Sequence, residues 1–138
     1  MLERYFVSLI LAFLISLIWM IFGRHTYQYN KRFPEIFGMN IFPLIAWTIG
    51  LFILSMMYYF MESFFSKTMT IILLIPIYWI LLIFSECFGY NFFNIHNEKM
   101  AGYKTLPIIG CMHSPTWMKI VYFSMDPIML ACLLLVDA

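Results

Sequence analysis

The chain has 138 residues, of which 64% are hydrophobic, 20% are aromatic and only 11% are charged, and its formal net charge is +1. A soluble domain carries about 25% charged residues, so this composition is that of an integral membrane protein. The small net charge excludes the basic surface that nucleic-acid binding requires. At about 20 residues per span, the length leaves room for about four helices and no separate extramembrane domain. We therefore expect an all-α integral membrane protein, a four-transmembrane-helix bundle.

The first predicted span covers residues 5–22, which form an uninterrupted apolar run. Its bulky last residues and the lack of a small-residue cleavage site distinguish it from a signal peptide. Ser8, Ala12 and Ser16 recur every four residues on this helix and form a stripe of small side chains. Such a stripe is typical of surfaces that another helix approaches closely in lipid, although similar triplets also arise by coincidence.

The second predicted span covers residues 41–61. Before it, Pro34 and Gly38 indicate the start and the end of a single turn. Ala46 and Gly50 again lie four residues apart within the span. They predict a second surface for close helix contact.

The third and fourth predicted spans each contain a proline. The third covers residues 68–88, and Pro76 inside it predicts a kink. The fourth covers residues 115–136, where Asp126 and Pro127 interrupt the apolar run. Either one kinked helix crosses the membrane here, or a short interfacial helix ends before Asp126 and too few residues remain to cross. Proline is tolerated in membrane helices, which favours the single kinked span.

The basic residues predict an orientation. With four spans, the loop between the first and second spans (loop 1) and the loop between the third and fourth (loop 3) face the same side. Six basic residues lie on that side or beside it, namely Arg24, Lys31, Arg32, Lys99, Lys104 and Lys119, against Arg4 and Lys67 on the other. The excess places loops 1 and 3 on the cytoplasmic or matrix side and both termini on the opposite side.

Loop 3 is too apolar to be a free linker, and we expect it to lie along the membrane interface. Its apolar residues are Phe92, Phe93, Ile95, Met100, Tyr103, Leu106, Ile108 and Ile109. In one interpretation loop 3 is a lid over a site that holds Glu86 and Asp126. In the other, its aromatic residues anchor the protein at headgroup depth and pack against a partner subunit.

The three cysteines, Cys87, Cys111 and Cys132, form no C-x-x-C pair. Their odd number leaves at least one unpaired, so neither a disulfide scaffold nor a thiol relay is indicated. We expect all three to be free.

Two acids fall inside the predicted spans. Glu86 lies about one turn before the end of the third, and Asp126 lies well inside the fourth. An ionised carboxylate at such depth is costly unless it is paired, so each predicts a functional site. Tyr122 lies one turn before Asp126 and is placed to donate a hydrogen bond to it, although Asp126 equally suits a helix cap. The candidate catalytic residues are these two acids with His96 and His113.

Four residues of loop 3 are of types that bind transition metals. His96 with Glu98, and Cys111 with His113, are pairs two residues apart, and Glu86 would complete a mixed set of nitrogen, oxygen and sulfur ligands. Their spacing matches no structural zinc pattern. The alternative is that the loop histidines are solvated or bonded to backbone.

Three functions follow from these features. The first expectation is an accessory or structural subunit of a larger membrane complex, with membrane lipid and other membrane subunits or further copies of the chain as partners. The second is a membrane-embedded enzyme acting on a lipid or isoprenoid, with Glu86 or Asp126 as a proton donor, His96 or His113 as a base or ligand, and loop 3 as the lid. The third is a proton-coupled transporter that works as an oligomer around Asp126. No cofactor is identified.

Overall fold

Four long helices dominate the fold of this computed structural model, which describes residues 1–137. They are α1 (Leu2–Gly23), α2 (Ile41–Glu62), α3 (Lys67–Asn91) and α4 (Thr116–Val136). Each is long and apolar enough to cross a membrane. The predicted four-helix architecture is confirmed, because each predicted span coincides with one helix to within three residues at either end.

The helices form a bundle in which neighbours in the chain pack side by side. α1 packs on α2, α2 on α3 and α3 on α4, while α4 closes the bundle against α1 and also contacts α2. Ser8, Ala12 and Ser16 are completely buried in this bundle. The Ser8 hydroxyl donates to Tyr59 Oη of α2 at 3.2 Å. The small-residue stripe of α1 is therefore a contact surface, and it is used within the chain.

A two-residue hairpin leads into α2. Strands β1 (Glu35–Ile36) and β2 (Met39–Asn40) pair antiparallel. Phe37 and Gly38 connect them with φ values of 52° and 75°, the left-handed conformations of a type I′ turn, which glycine adopts without strain. The segment from Pro34 to Gly38, predicted as a single turn, instead contains the first strand and the connecting residues of a β-hairpin. Asn40 then caps α2, since its side chain accepts the backbone N–H two residues later at 2.9 Å.

α4 continues without a break through Asp126 and Pro127. A proline inside a helix leaves the carbonyl four residues earlier, here that of Phe123, without its helical donor. Trp79 of α3 replaces that donor, because its indole Nε1–H donates to the Phe123 carbonyl at 2.9 Å. The fourth segment is thus one helix, as the favoured alternative predicted.

Loop 1 (residues 24–40) and loop 3 (residues 92–115) are joined by hydrogen bonds over one end of the bundle. Tyr29 and Asn97 form an isolated antiparallel bridge. Beside it, the Glu98 N–H donates to the Gln28 carbonyl at 2.6 Å. The side chain of Asn97 adds two further bonds to loop 1, accepting from the Gln28 N–H and donating to the Thr26 carbonyl. The two loops therefore form a single layer that covers the space between the helices.

Candidate functional site

A cavity of about 920 Å³ lies beneath the layer formed by loops 1 and 3. Residues of α2, from Phe42 to Ile53, and of α3, from Tyr78 to Tyr90, form its long walls. At a rise of 1.5 Å per residue the α3 wall is on the order of 18 Å long. The volume lies within the range of sites for small organic ligands, about 300–1,000 Å³.

Ten of the thirty residues that line the cavity are Phe, Tyr or Trp, so its wall is aromatic. Four of the lining residues lie on the outer surface of the bundle, where Ile53, Leu81, Phe84 and Phe88 are 45%, 41%, 65% and 41% exposed. The cavity therefore reaches the outside between α2 and α3, at the surface that faces lipid if these helices cross a membrane.

Glu86 contributes its carboxylate to the cavity from the end part of α3. It is half-buried, and no hydrogen bond to it is formed within residues 1–137. The only ion pair in this described part of the chain joins Arg4 to Glu62 at the opposite end of the bundle. Glu86 is thus a carboxyl group in an aromatic cavity without a partner from the protein, an arrangement that is costly unless a ligand, water or a proton satisfies it.

Two tyrosines pair beside this carboxyl group. Trp19 Nε1–H donates to Tyr27 Oη at 2.8 Å, and the Tyr27 and Tyr122 hydroxyls lie 2.6 Å apart. The ring of Trp47 packs edge-on against Tyr122, with centroids 4.8 Å apart. Burial raises the pKa of the Tyr27 phenol above its ordinary value of 10, and the charge of Glu86 adds to the rise.

The pair of tyrosines has one phenolic hydrogen that the bond between them does not use. Tyr27 stays protonated near neutral pH, and only one of the two phenolic hydrogens is used in the bond between Tyr27 and Tyr122. Trp19 is a donor only, so it uses none of them. One phenolic O–H remains free among the described contacts to donate to a bound molecule.

His96 and His113 line the cavity from loop 3 and flank one tyrosine ring. His96 stacks on Tyr90 with centroids 4.0 Å apart, and His113 lies 5.4 Å from the same ring. His96 Nε2 lies 3.1 Å from the Tyr90 carbonyl and His113 Nδ1 lies 3.0 Å from the Tyr103 carbonyl. Because a carbonyl oxygen only accepts, these two nitrogens carry the hydrogen in the neutral rings. His96 Nδ1 and His113 Nε2 are therefore left as acceptors.

The expectation that all three cysteines are free is wrong. Cys87 of α3 and Cys111 of loop 3 form a disulfide with Cα atoms 5.3 Å apart, and Cys132 is free. The two bonded cysteines are 24 residues apart, and only the return of loop 3 over the end of α3 brings them together. The disulfide fixes loop 3 immediately beside Glu86.

The structure does not assemble the predicted metal ligands. Cys111 is bonded to Cys87 and has no thiolate to offer. His96, Glu98 and His113 all line the cavity, yet residues 1–137 contain no group of three or more His, Cys, Asp or Glu placed to hold a metal ion.

Asp126 does not belong to the cavity. Its side chain is completely buried, and its Oδ1 accepts the Trp79 Nε1–H at 3.0 Å, whereas its Oδ2 has no partner in the described part of the chain. The predicted donor, Tyr122, bonds instead to Tyr27. Three of the four candidate catalytic residues, Glu86 and the two histidines, thus share one cavity, and the fourth is placed between α3 and α4.

Replacing Trp79 with phenylalanine is expected to destabilise the protein strongly. The one indole N–H serves both the Phe123 carbonyl and Asp126 Oδ1, and a buried acceptor left without a donor costs about 1–3 kcal/mol. Trp117→Phe is the matched control, because Trp117 is half exposed on α4. Thermal unfolding in detergent measures both, and equal shifts for the two variants would contradict a structural role for the contact between Trp79 and Asp126.

The aromatic residues that build the cavity escaped the sequence analysis. Tyr27, Trp47, Tyr78 and Tyr122 come from loop 1, α2, α3 and α4, and no local spacing connects them. In the sequence, each of them is indistinguishable from an ordinary buried aromatic residue, and only the packing of the helices brings them to one cavity. Comparison with protein-family models, with curated proteins and with solved structures finds no match for this chain.

Proposed function

We propose that the chain is a membrane-embedded enzyme that takes a lipid or isoprenoid into the cavity and uses Glu86 as its acid–base group. The observation that carries this proposal is the unpaired Glu86 carboxyl group in an aromatic cavity of about 920 Å³. Ligand sites typically combine such an apolar wall with a few convergent polar groups.

The form of the cavity supports a lipid as the substrate class. It extends between α2 and α3, and the exposed apolar side chains of Ile53, Leu81 and Phe84 line it at the outer surface of the bundle. If these helices span a membrane, a hydrocarbon chain enters sideways from the bilayer and never crosses water. Burial of such a chain against aromatic side chains is favourable.

The polar groups support proton transfer. A carboxyl group both gives and takes a proton, and the free imidazole nitrogens of His96 and His113 are further bases in the same cavity. The layer formed by loops 1 and 3 covers this end of the cavity and limits the entry of water. In this proposal the Glu86 carboxyl group gives one proton to the substrate or takes one from it. A histidine then transfers a proton to or from Glu86, which restores the starting protonation state of the carboxyl group.

Lipid analysis tests the proposal. Cells that carry Glu86→Gln are expected to show the same altered lipid composition as cells that lack the protein, measured by mass spectrometry of membrane extracts. The control is Glu35→Gln, since Glu35 lies on β1, outside the cavity. Cells with this variant should have the lipid composition of wild-type cells. A wild-type composition in the Glu86→Gln cells, with the variant present in the membrane, would overturn the assignment of Glu86.

The accessory-subunit expectation stays a prediction, but the small-residue stripe of α1 that supports it is a contact surface within the chain. The α1 stripe is buried in the bundle. In α2, Ala46 and Gly50 line the cavity, and a Cβ atom on Gly50 would lie 2.9 Å from Tyr78 Oη. The transporter expectation also stays a prediction, and Asp126 does not line the cavity beneath loops 1 and 3.

The proposed orientation keeps loops 1 and 3 on the cytoplasmic or matrix side, supported by their excess of basic residues. Disulfides are rare in a reducing cytoplasm, so the Cys87–Cys111 bond of loop 3 favours the opposite orientation, and a labelling experiment decides between the two. In the proposed orientation, a Glu35→Cys variant from which the three native cysteines have been removed should react with a membrane-impermeant maleimide only after the membrane is opened. If the cysteine is labelled in intact cells, loop 1 lies outside and the proposed orientation is wrong.

A further inference from the structure

In the described part of the chain, the cavity is lined by acidic side chains but by no lysine or arginine. Its lining in the described chain includes two carboxyl groups, Glu86 and Glu98, and two imidazoles, but no lysine and no arginine. A phosphate or other anionic headgroup is normally held by Arg, Lys or several backbone N–H groups. The cavity therefore lacks the side chains that an anionic lipid requires.

The nearby lysines are engaged elsewhere. Lys31 Nζ donates to the Phe93 carbonyl at 2.5 Å, and Lys99 Nζ donates to the His25 carbonyl at 2.7 Å. Lys119 Nζ likewise donates to the Lys104 carbonyl at 2.7 Å. These ammonium groups stabilise the loop layer, and none of these lysines contributes to the cavity wall.

Every polar side chain that lines the cavity, except Trp47, carries an acceptor atom, and the tyrosine hydroxyls can donate as well. The Glu86 carboxylate has no partner, and the free nitrogens of His96 and His113 have none among the described side-chain contacts. Trp47 and Tyr122 line the same wall, among ten aromatic residues in all. Aromatic faces attract cations, most strongly where water is excluded.

We infer that the molecule bound here carries an ammonium group at its polar end, so that the substrate class is an amine-bearing lipid. The inference rests on the proposed function, because it takes the cavity to be a lipid site. The N–H groups of the ammonium bond to the acceptors, its charge pairs with the Glu86 carboxylate, and its hydrocarbon chain extends between α2 and α3.

Three amphiphiles with the same hydrocarbon chain test this inference. Dodecylammonium, dodecanol and dodecyl phosphate are titrated into the purified chain in maltoside micelles, with tryptophan fluorescence as the readout because Trp47 lies in the wall. Dodecylammonium is expected to bind about tenfold more tightly than dodecanol or better, the size of one charge-assisted hydrogen bond. Dodecyl phosphate is expected to bind most weakly.

Variants distinguish binding in the cavity from partition of the amphiphile into the micelle. Glu86→Gln should bring dodecylammonium to the affinity of dodecanol, whereas Glu35→Gln should keep the wild-type order. If the wild-type chain binds all three equally, or prefers the phosphate, the ammonium inference is wrong and the lipid site stands. If none of the three gives a saturable change, the proposed lipid site itself is wrong.

Discussion

Replacing Cys87 with serine is expected to lower the stability of the oxidised protein by about 3 kcal/mol, because the Cys87–Cys111 bond closes a segment of 24 residues. That segment holds most of loop 3, which has no helix longer than one turn to order it. Thermal unfolding in detergent, with and without a reductant, measures the effect. Reductant should bring the wild-type protein to the midpoint of the variant and leave the variant unchanged.

The third cysteine supplies the control for this prediction. Cys132 is free and half-buried on α4, so Cys132→Ser should unfold near the wild-type midpoint and keep its response to reductant. Cys111→Ser should match Cys87→Ser, and the double variant should lose nothing more, since the two residues act through one bond. A loss in Cys132→Ser as large as in Cys87→Ser, or a wild-type midpoint that ignores reductant, would contradict the prediction.

The disulfide also bears on the chemistry of the cavity. Cys87 follows Glu86 directly, so the bond holds loop 3 beside the carboxyl group that lines the site. Without it, loop 3 keeps its hydrogen bonds to loop 1, to the end of α3 and to Lys119 of α4. We therefore expect the loss of stability to be accompanied by easier entry of water to Glu86, because water exclusion depends on that layer.

The helices could be predicted because the sequence carries their signals locally. Each apolar run is long enough to span and is bounded by polar residues, which decides its position without knowledge of its neighbours. The continuity of α4 depends on a distant residue, since Pro127 frees the Phe123 carbonyl and the replacement donor, Trp79, lies 44 residues earlier in the chain. A distant partner of that kind leaves no trace in spacing.

The two acids inside the predicted spans show where sequence reasoning reaches its limit. Glu86 and Asp126 interrupt apolar runs in the same way, and the same rule singled out both. The difference lies in tertiary contacts, because Trp79 donates to Asp126, whereas no residue of the described chain bonds to Glu86. The cavity was beyond prediction for the same reason, since five separate segments of the chain supply its wall.

Replacing Ala46 with tryptophan is expected to weaken the binding of dodecylammonium at least about tenfold while the bundle stays folded. Ala46 lines the cavity from α2 and is exposed, so a larger side chain there enters open space instead of packed protein. Gly50, one turn further on, is unsuitable because a Cβ atom would meet Tyr78 Oη at 2.9 Å. An indole at position 46 occupies the path between α2 and α3 that the hydrocarbon chain would take.

The neighbouring residue gives a matched control for this substitution. Ile45 is 48% exposed on the same turn of α2 but does not line the cavity, so Ile45→Trp adds the same indole to the outer surface and should bind dodecylammonium as the wild-type protein does. Titration and thermal unfolding are measured for both. Loss of affinity in Ala46→Trp alone, with unfolding midpoints that agree, places the ligand between α2 and α3. Equal affinities in the two variants would place it elsewhere, because a chain that fills this cavity cannot share it with an indole.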